Sequence, residues 1–110
     1  MDFPAQFLGL ATTSKWSELQ SLMVEMSAAA PYWRTQSTAG SLYPPDGWQA
    51  DWDHQFRLGV YKYIEWCELV PRSDGASLTL DDIRQVCEAI GFVVETAPDR
   101  IRVLGYRRLN

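Results

Sequence analysis

Apolar and polar positions alternate with two different periods along this chain, and the periods divide it into elements. Over residues 13–29, TSKWSELQSLMVEMSAA, the residues Trp16, Leu19, Met23 and Met26 recur at helical spacing with Leu22 beside them. That spacing predicts an amphipathic helix with its apolar stripe against a core. Thr13 or Ser14 supplies the N-cap hydroxyl for the free backbone N–H groups, and Pro31 stops the helix. Residues 31–38, PYWRTQST, have the aromatic and β-branched content of a strand. Gly40, Pro44, Pro45 and Gly47 mark residues 39–47 as a loop. YKYIEWCELVP, residues 61–71, reads as a strand ended by its proline. Thr79 and Asp82 then resemble a capping box with Asp in the place of Glu, followed by a helical stripe of Ile83, Val86, Cys87 and Ile90. Gly91 suits the left-handed position after that helix. FVVETAPDRIRVLGY predicts two strands around a turn at residues 97–100.

The densest chemistry lies in DGWQADWDHQF, residues 46–56, with three aspartates, two tryptophans and the single histidine. Side chains alternate across a strand. Read as a strand, one face of residues 48–56 holds Trp48, Ala50, Trp52, His54 and Phe56. The other holds Gln49, Asp51, Asp53 and Gln55. An Asp–His pair within the strand is thereby disfavoured. A hairpin turning at Leu58 and Gly59 places Trp52 near Trp66 and His54 near Ile64. Glu68 then joins the aromatic face and Glu65 the aspartate face, and a one-residue bulge swaps these partners. The predicted order is α-β-β-β-α-β-β, an α+β fold in which two helices pack on an antiparallel sheet.

Composition bounds this picture. A chain of 110 residues suits one domain spanning 1–110, and 46% hydrophobic residues with five tryptophans are enough for a core. No apolar run reaches bilayer-spanning length, and no basic region precedes the apolar residues at the start, so a cytoplasmic location is expected. Cys67 and Cys87 sit inside regular apolar patterns and read as buried thiols of a reducing compartment. Charge is uneven. Residues 1–99 carry six Lys and Arg against all fourteen Asp and Glu, whereas residues 100–110 carry Arg100, Arg102, Arg107 and Arg108 and no acid. An acidic body disfavours nucleic acid and favours basic partners, and the arginine-rich end reverses this locally.

The sequence carries no enzymatic fingerprint. One histidine and two separated cysteines do not make a zinc set, and Asp46, Asp51 and Asp53 lack the glycine and terminal glutamate of a calcium loop. No metal or cofactor is expected. There is no GxSxG and no glycine-rich phosphate loop. His54 with Glu65 or Glu68 is the one acid–base pairing that can be constructed, and a lone histidine on an apolar face reads first as a packed residue.

The pieces TTSKWSELQSLM, PYWRT, DWDHQFRLGVYKYIEWCEL and IRVLGY resemble a family of short bacterial proteins of unknown function, whose pattern runs KWxEL, a tryptophan-rich strand, YKxIEW and a closing GY strand. The likeness covers most of residues 12–106. The long STAGSLYPP loop and the arginine-rich end depart from it. The resemblance implies a small bacterial α+β domain and no established activity.

Ten Trp and Tyr residues in so short a chain exceed what a small core holds, and such residues exposed beside charges are typical of binding surfaces. The expected function is a non-enzymatic protein-binding domain, of the immunity or antitoxin kind, that inhibits a basic toxin. Its expected surface is Asp46, Trp48, Asp51, Asp53, Glu65 and Glu68 on the acidic-aromatic hairpin. The alternatives are a nucleic-acid-associated module using Arg100, Arg102, Arg107 and Arg108 with aromatics for stacking, or a structural domain.

Overall fold

Trp16, Leu19 and Met23 form the buried stripe of α1 (Thr13–Met26), as their spacing requires, with Gln20 buried among them. The structure, a computed structural model, describes residues 7–53, 56, 61–73 and 77–109. The α1 cap is Thr12, which precedes both candidates, Thr13 and Ser14, and its Oγ1 accepts from the Lys15 N–H at 3.3 Å. A 3-10 turn at Ser27–Ala29 leads to Pro31. In α2 (Leu80–Ile90) the capping box is complete: Asp82 N–H donates to Thr79 Oγ1 and Thr79 N–H to Asp82 Oδ2, both at 3.1 Å. Gly91 follows with φ 108°, the left-handed conformation glycine adopts without a Cβ penalty. Lys15 Nζ donates to the Gly91 carbonyl at 2.9 Å, so a cation from α1 closes the negative end of α2.

The strands are β1 (Phe7–Gly9), β2 (Tyr32–Ser37), β3 (Leu42–Tyr43), β4 (Ile64–Val70), β5 (Val93–Ala97), β6 (Arg100–Leu104) and β7 (Tyr106–Arg108). Five make one antiparallel sheet in the order β3-β2-β4-β6-β5, and β1 pairs with β7 as a separate ribbon. The fold is α+β, with α1 and α2 on a mostly antiparallel sheet among the described residues. Trp33, Cys67, Leu69, Ile101 and Val103 point from the sheet into one core with Trp16, Leu19, Met23, Ile83, Cys87 and Phe92. Both helices therefore cover the same face, and the opposite face of the sheet faces away from them.

One irregularity decides what that outer face carries. Gln36 pairs with Trp66, but the next residue, Ser37, pairs with Ile64. Glu65 and Trp66 thus form a bulge in β4. Strict alternation would send Glu65 inward with Cys67 and Leu69. The extra residue instead puts Ile64 in the core and the Glu65 carboxylate on the outer side, with that of Glu68.

The predicted hairpin of residues 48–56 with the following strand does not form. Both edges of β4 are occupied by β2 and β6, which leaves no edge for another partner. Trp52 packs on Trp33 and Phe56, at 5.8 and 4.8 Å between ring centroids, rather than on Trp66. Gln49 makes a single bridge to Trp33 beyond the short β3, and the chain then turns. Its own side chains hold the turn: Gln49 Oε1 accepts from the N–H groups of Ala50 and Asp51, and Asp51 Oδ1 from that of Asp53. Such local bonds compete with a strand ladder. Glu65 and Glu68 share a face instead of dividing between two. His54, Gln55 and the Leu58–Gly59 turn lie outside the described residues.

Candidate functional site

The predicted site residues separate into three places. Asp46 is exposed on the loop after β3. Asp51 and Asp53 belong to the turn beside α1. Glu65, Glu68 and Trp48 belong to the outer face of the sheet.

The turn at 50–53 is fastened to the core at several points. Gln20 Nε2 donates to the carbonyls of Trp52 and Asp53, at 2.9 and 3.0 Å. Gln20 Oε1 accepts from the Tyr61 hydroxyl. Trp33 Nε1 donates to the Asp51 carbonyl at 3.1 Å, and Trp52 Nε1 to the Pro31 carbonyl at 2.8 Å. Arg72 Nε donates to the Ala30 carbonyl at 2.6 Å. Gln20 is a functional position that stripe counting passes over. Its signal is a polar residue inside an apolar helical face, which must find partners there.

So fastened, the turn forms one wall of a groove along α1. One depression of about 370 Å³ is lined by Val24, Ser27, Asp51, Asp53 and Arg72, among others. A second, of about 290 Å³, is lined by Ser17, Gln20, Ser21, Val24, Asp53 and Tyr61. They share Val24 and Asp53. Ser17, Gln20, Ser21 and Val24 stand at the i, i+3, i+4 and i+7 positions of α1, one side of a helix. Val24 is exposed, an apolar patch between a wall of carboxylates and a run of hydroxyls.

The outer face of the sheet is a lattice of arginines and carboxylates. Glu68, only 4% exposed, takes Arg102 on Oε2 at 2.7 Å and Arg100 on Oε1 at 3.1 Å. Glu65 takes the fork of Arg108 with both oxygens, at 2.9 and 3.1 Å. Arg102 stacks over Trp66 at 4.3 Å, Arg108 over Phe7 at 5.0 Å and Arg100 over Trp48 at 5.4 Å. Arg100 also grips Asp99, and this holds the Asp99 carboxyl below the ordinary range. Glu65 and Glu68 of the expected acidic surface and three arginines of the C-terminal stretch, separate in the sequence, are thus one network. Arg100, Arg102 and Arg108 neutralise Glu65 and Glu68 within the domain. Arg107 lies exposed on β7.

The cysteines are buried and free. Burial, and then Cys87, pushes the Cys67 thiol well up. Burial, and then Glu88, raises Cys87 to about 12. Both stay protonated at neutral pH and are poor nucleophiles. Among the described residues, no three His, Cys, Asp or Glu side chains converge on a metal position.

With this geometry in place, comparison with known proteins adds one finding. A model of a family of unknown function (DUF6678) matches residues 4–110. The chain belongs to that family. Neither a curated protein nor a solved structure matches it. The sequence pieces that suggested an uncharacterised family have structural duties. In KWSEL, Lys15 caps α2 and Trp16 packs on Phe92 at 4.7 Å. In YKYIEW, Tyr61 binds Gln20, the Lys62 carbonyl accepts from Tyr106, Glu65 holds Arg108 and Trp66 supports Arg102. In the closing GY, Gly105 has no room for a side chain: a Cβ there would lie 2.0 Å from the Ile64 carbonyl oxygen.

Proposed function

We propose that this domain is a non-catalytic protein-binding module, of the immunity or antitoxin kind, that receives a basic element of its partner in the groove along α1. The observation that carries the reading is the fastened 50–53 turn. Four hydrogen bonds from Gln20, Trp33 and Trp52 hold it, so Asp51 and Asp53 are positioned before any partner arrives. Pre-organisation lowers the ordering cost of binding. The exposed Val24 supplies apolar contact and the carboxylates supply charge. A formal net charge of −4 steers a basic protein toward the domain.

The test is co-purification with the product of the adjacent gene, followed by binding kinetics with Asp53→Lys. Charge reversal at the rim is expected to slow association and weaken binding about tenfold, with the loss shrinking as salt rises. Glu65→Gln is expected to leave the association rate unchanged. The reading fails if the neighbouring product does not bind, or if it binds Asp53→Lys as well as the parent.

A further inference from the structure

A second binding surface lies on the outer face of the sheet. One row across it reads Arg34, Glu68, Arg102 and Glu95, on β2, β4, β6 and β5, each directly opposite the next. Glu68 has both oxygens engaged by Arg100 and Arg102. Arg34, its neighbour on the other side, makes no ion pair among the described residues, and its Nε is buried without an acceptor. A buried guanidinium N–H without an acceptor is uncommon in folded proteins. Here it stands beside a carboxylate already satisfied by two other arginines. Around this point Arg34, Arg100 and Arg102 face Glu68, Asp99 and Glu95, and Arg34 alone of the three arginines is left without an ion pair among the described residues.

We propose that Arg34 and Arg102 form a binding site for a phosphate group carried by a small ligand. Among the described residues the Arg34 guanidinium has no acceptor, and Arg102 commits only Nε and Nη2, both to Glu68, leaving Nη1. The two backbones are two strand spacings apart, roughly 10 Å, with Glu68 between them. Donors arriving from two separated strands suit a tetrahedral group with several oxygens better than a planar carboxylate, which one fork satisfies. Trp66 beneath Arg102 holds that guanidinium in place, which limits the rearrangement needed on binding.

The test follows the side-chain Nε–Hε resonances of arginine in the intact protein during separate titrations with inorganic phosphate, with AMP and with a short oligothymidylate. The Arg34 resonance is expected to shift saturably with at least one of the first two. A response to both of these assigns the phosphate group alone, and tighter binding of AMP assigns a nucleotide. Arg34→Gln should weaken the binding about tenfold or more. Arg107→Gln, the same change in net charge at an exposed position of β7, should leave it unchanged. Three results overturn the proposal: no shift at Arg34, equal losses in Arg34→Gln and Arg107→Gln, or a response only to a short oligothymidylate. Because the resonances are read on the unaltered protein, a folding defect in Arg34→Gln does not obscure the answer.

Discussion

Gln20 connects helix, turn and tyrosine through one amide: its nitrogen serves two carbonyls and its oxygen the Tyr61 hydroxyl. Replacing it with leucine keeps the volume and removes every partner. Gln20→Leu is expected to cost about 1–3 kcal/mol, since buried carbonyls and a hydroxyl lose their hydrogen bonds. A drop in the urea midpoint at constant slope measures it, and an unchanged midpoint contradicts it. The two thiols make a pH-dependent contribution. Their folded-state pKa values lie above the ordinary thiol value, so above about pH 8.5 the unfolded chain binds fewer protons than the folded one. Their stabilisation is full below that pH and is lost as pH rises toward the folded values, about 12 for Cys87. The slope approaches about 1.4 kcal/mol per pH unit for each thiol. Between pH 8 and pH 10 the stability of Cys87→Ala should therefore fall less than that of the parent. Parallel curves would contradict the assignment.

Among the elements, the junction of β6 and β7 is the least tolerant of change. Gly105 N–H donates to the Glu65 carbonyl at 2.7 Å, and its carbonyl accepts from Leu10 and Ala11. The atom a Cβ would strike is backbone and has little room to retreat. Gly105→Ala should cost about 3 kcal/mol or more, at the upper end for overpacking, read as a lowered melting temperature. Glu68→Gln removes the negative charge and one of the two oxygens that Arg100 and Arg102 share, puts an amide donor against a guanidinium, and should cost about 1–3 kcal/mol. If its stability matches the parent at low salt, the arginine lattice is decorative. The elements differed in how legible they were. Both helices announced themselves by their stripe, the second also by its cap, and β5, β6 and their turn by composition. Residues 48–56 alternate like a strand and are not one, because alternation does not say whether a sheet has an edge left to offer. The bulge was invisible for a related reason. It is set by how Ile64 must reach the core, a fact about packing between elements rather than about the local string.

For the molecule as a whole, the predicted acidic surface proved to be two surfaces on opposite layers. Asp51 and Asp53 flank the helical layer, whereas Glu65 and Glu68 are held within an arginine field on the sheet. Sequence reading identified these residues as notable but assigned them to one hairpin, since nothing in the linear charge pattern reveals which arginine meets which glutamate. Their separation by the core predicts independence. Asp53→Lys should alter association with a protein partner and leave the Arg34 resonance response intact. Arg34→Gln should weaken phosphate binding, followed at the Arg102 resonance, and leave association with the protein partner intact, and the double variant should show the sum of the two effects. Cross-talk in either assay would mean that the layers are energetically coupled.

The bulge at Glu65 and Trp66 also has a meaning for the history of the chain. Without Glu65, the strand would run Ile64, Trp66, Cys67, Glu68, Leu69, alternating without a fault, with every remaining side chain on its present face. A deletion in the interior of β4 outside Glu65 and Trp66 would invert part of the strand. The bulge is thus where an ordinary strand can take one extra residue without disturbing its neighbours, and Glu65 there supplies the carboxylate that anchors Arg108. Family members one residue shorter at this point should lack the arginine as well, and a chain engineered without both should still close the same sheet.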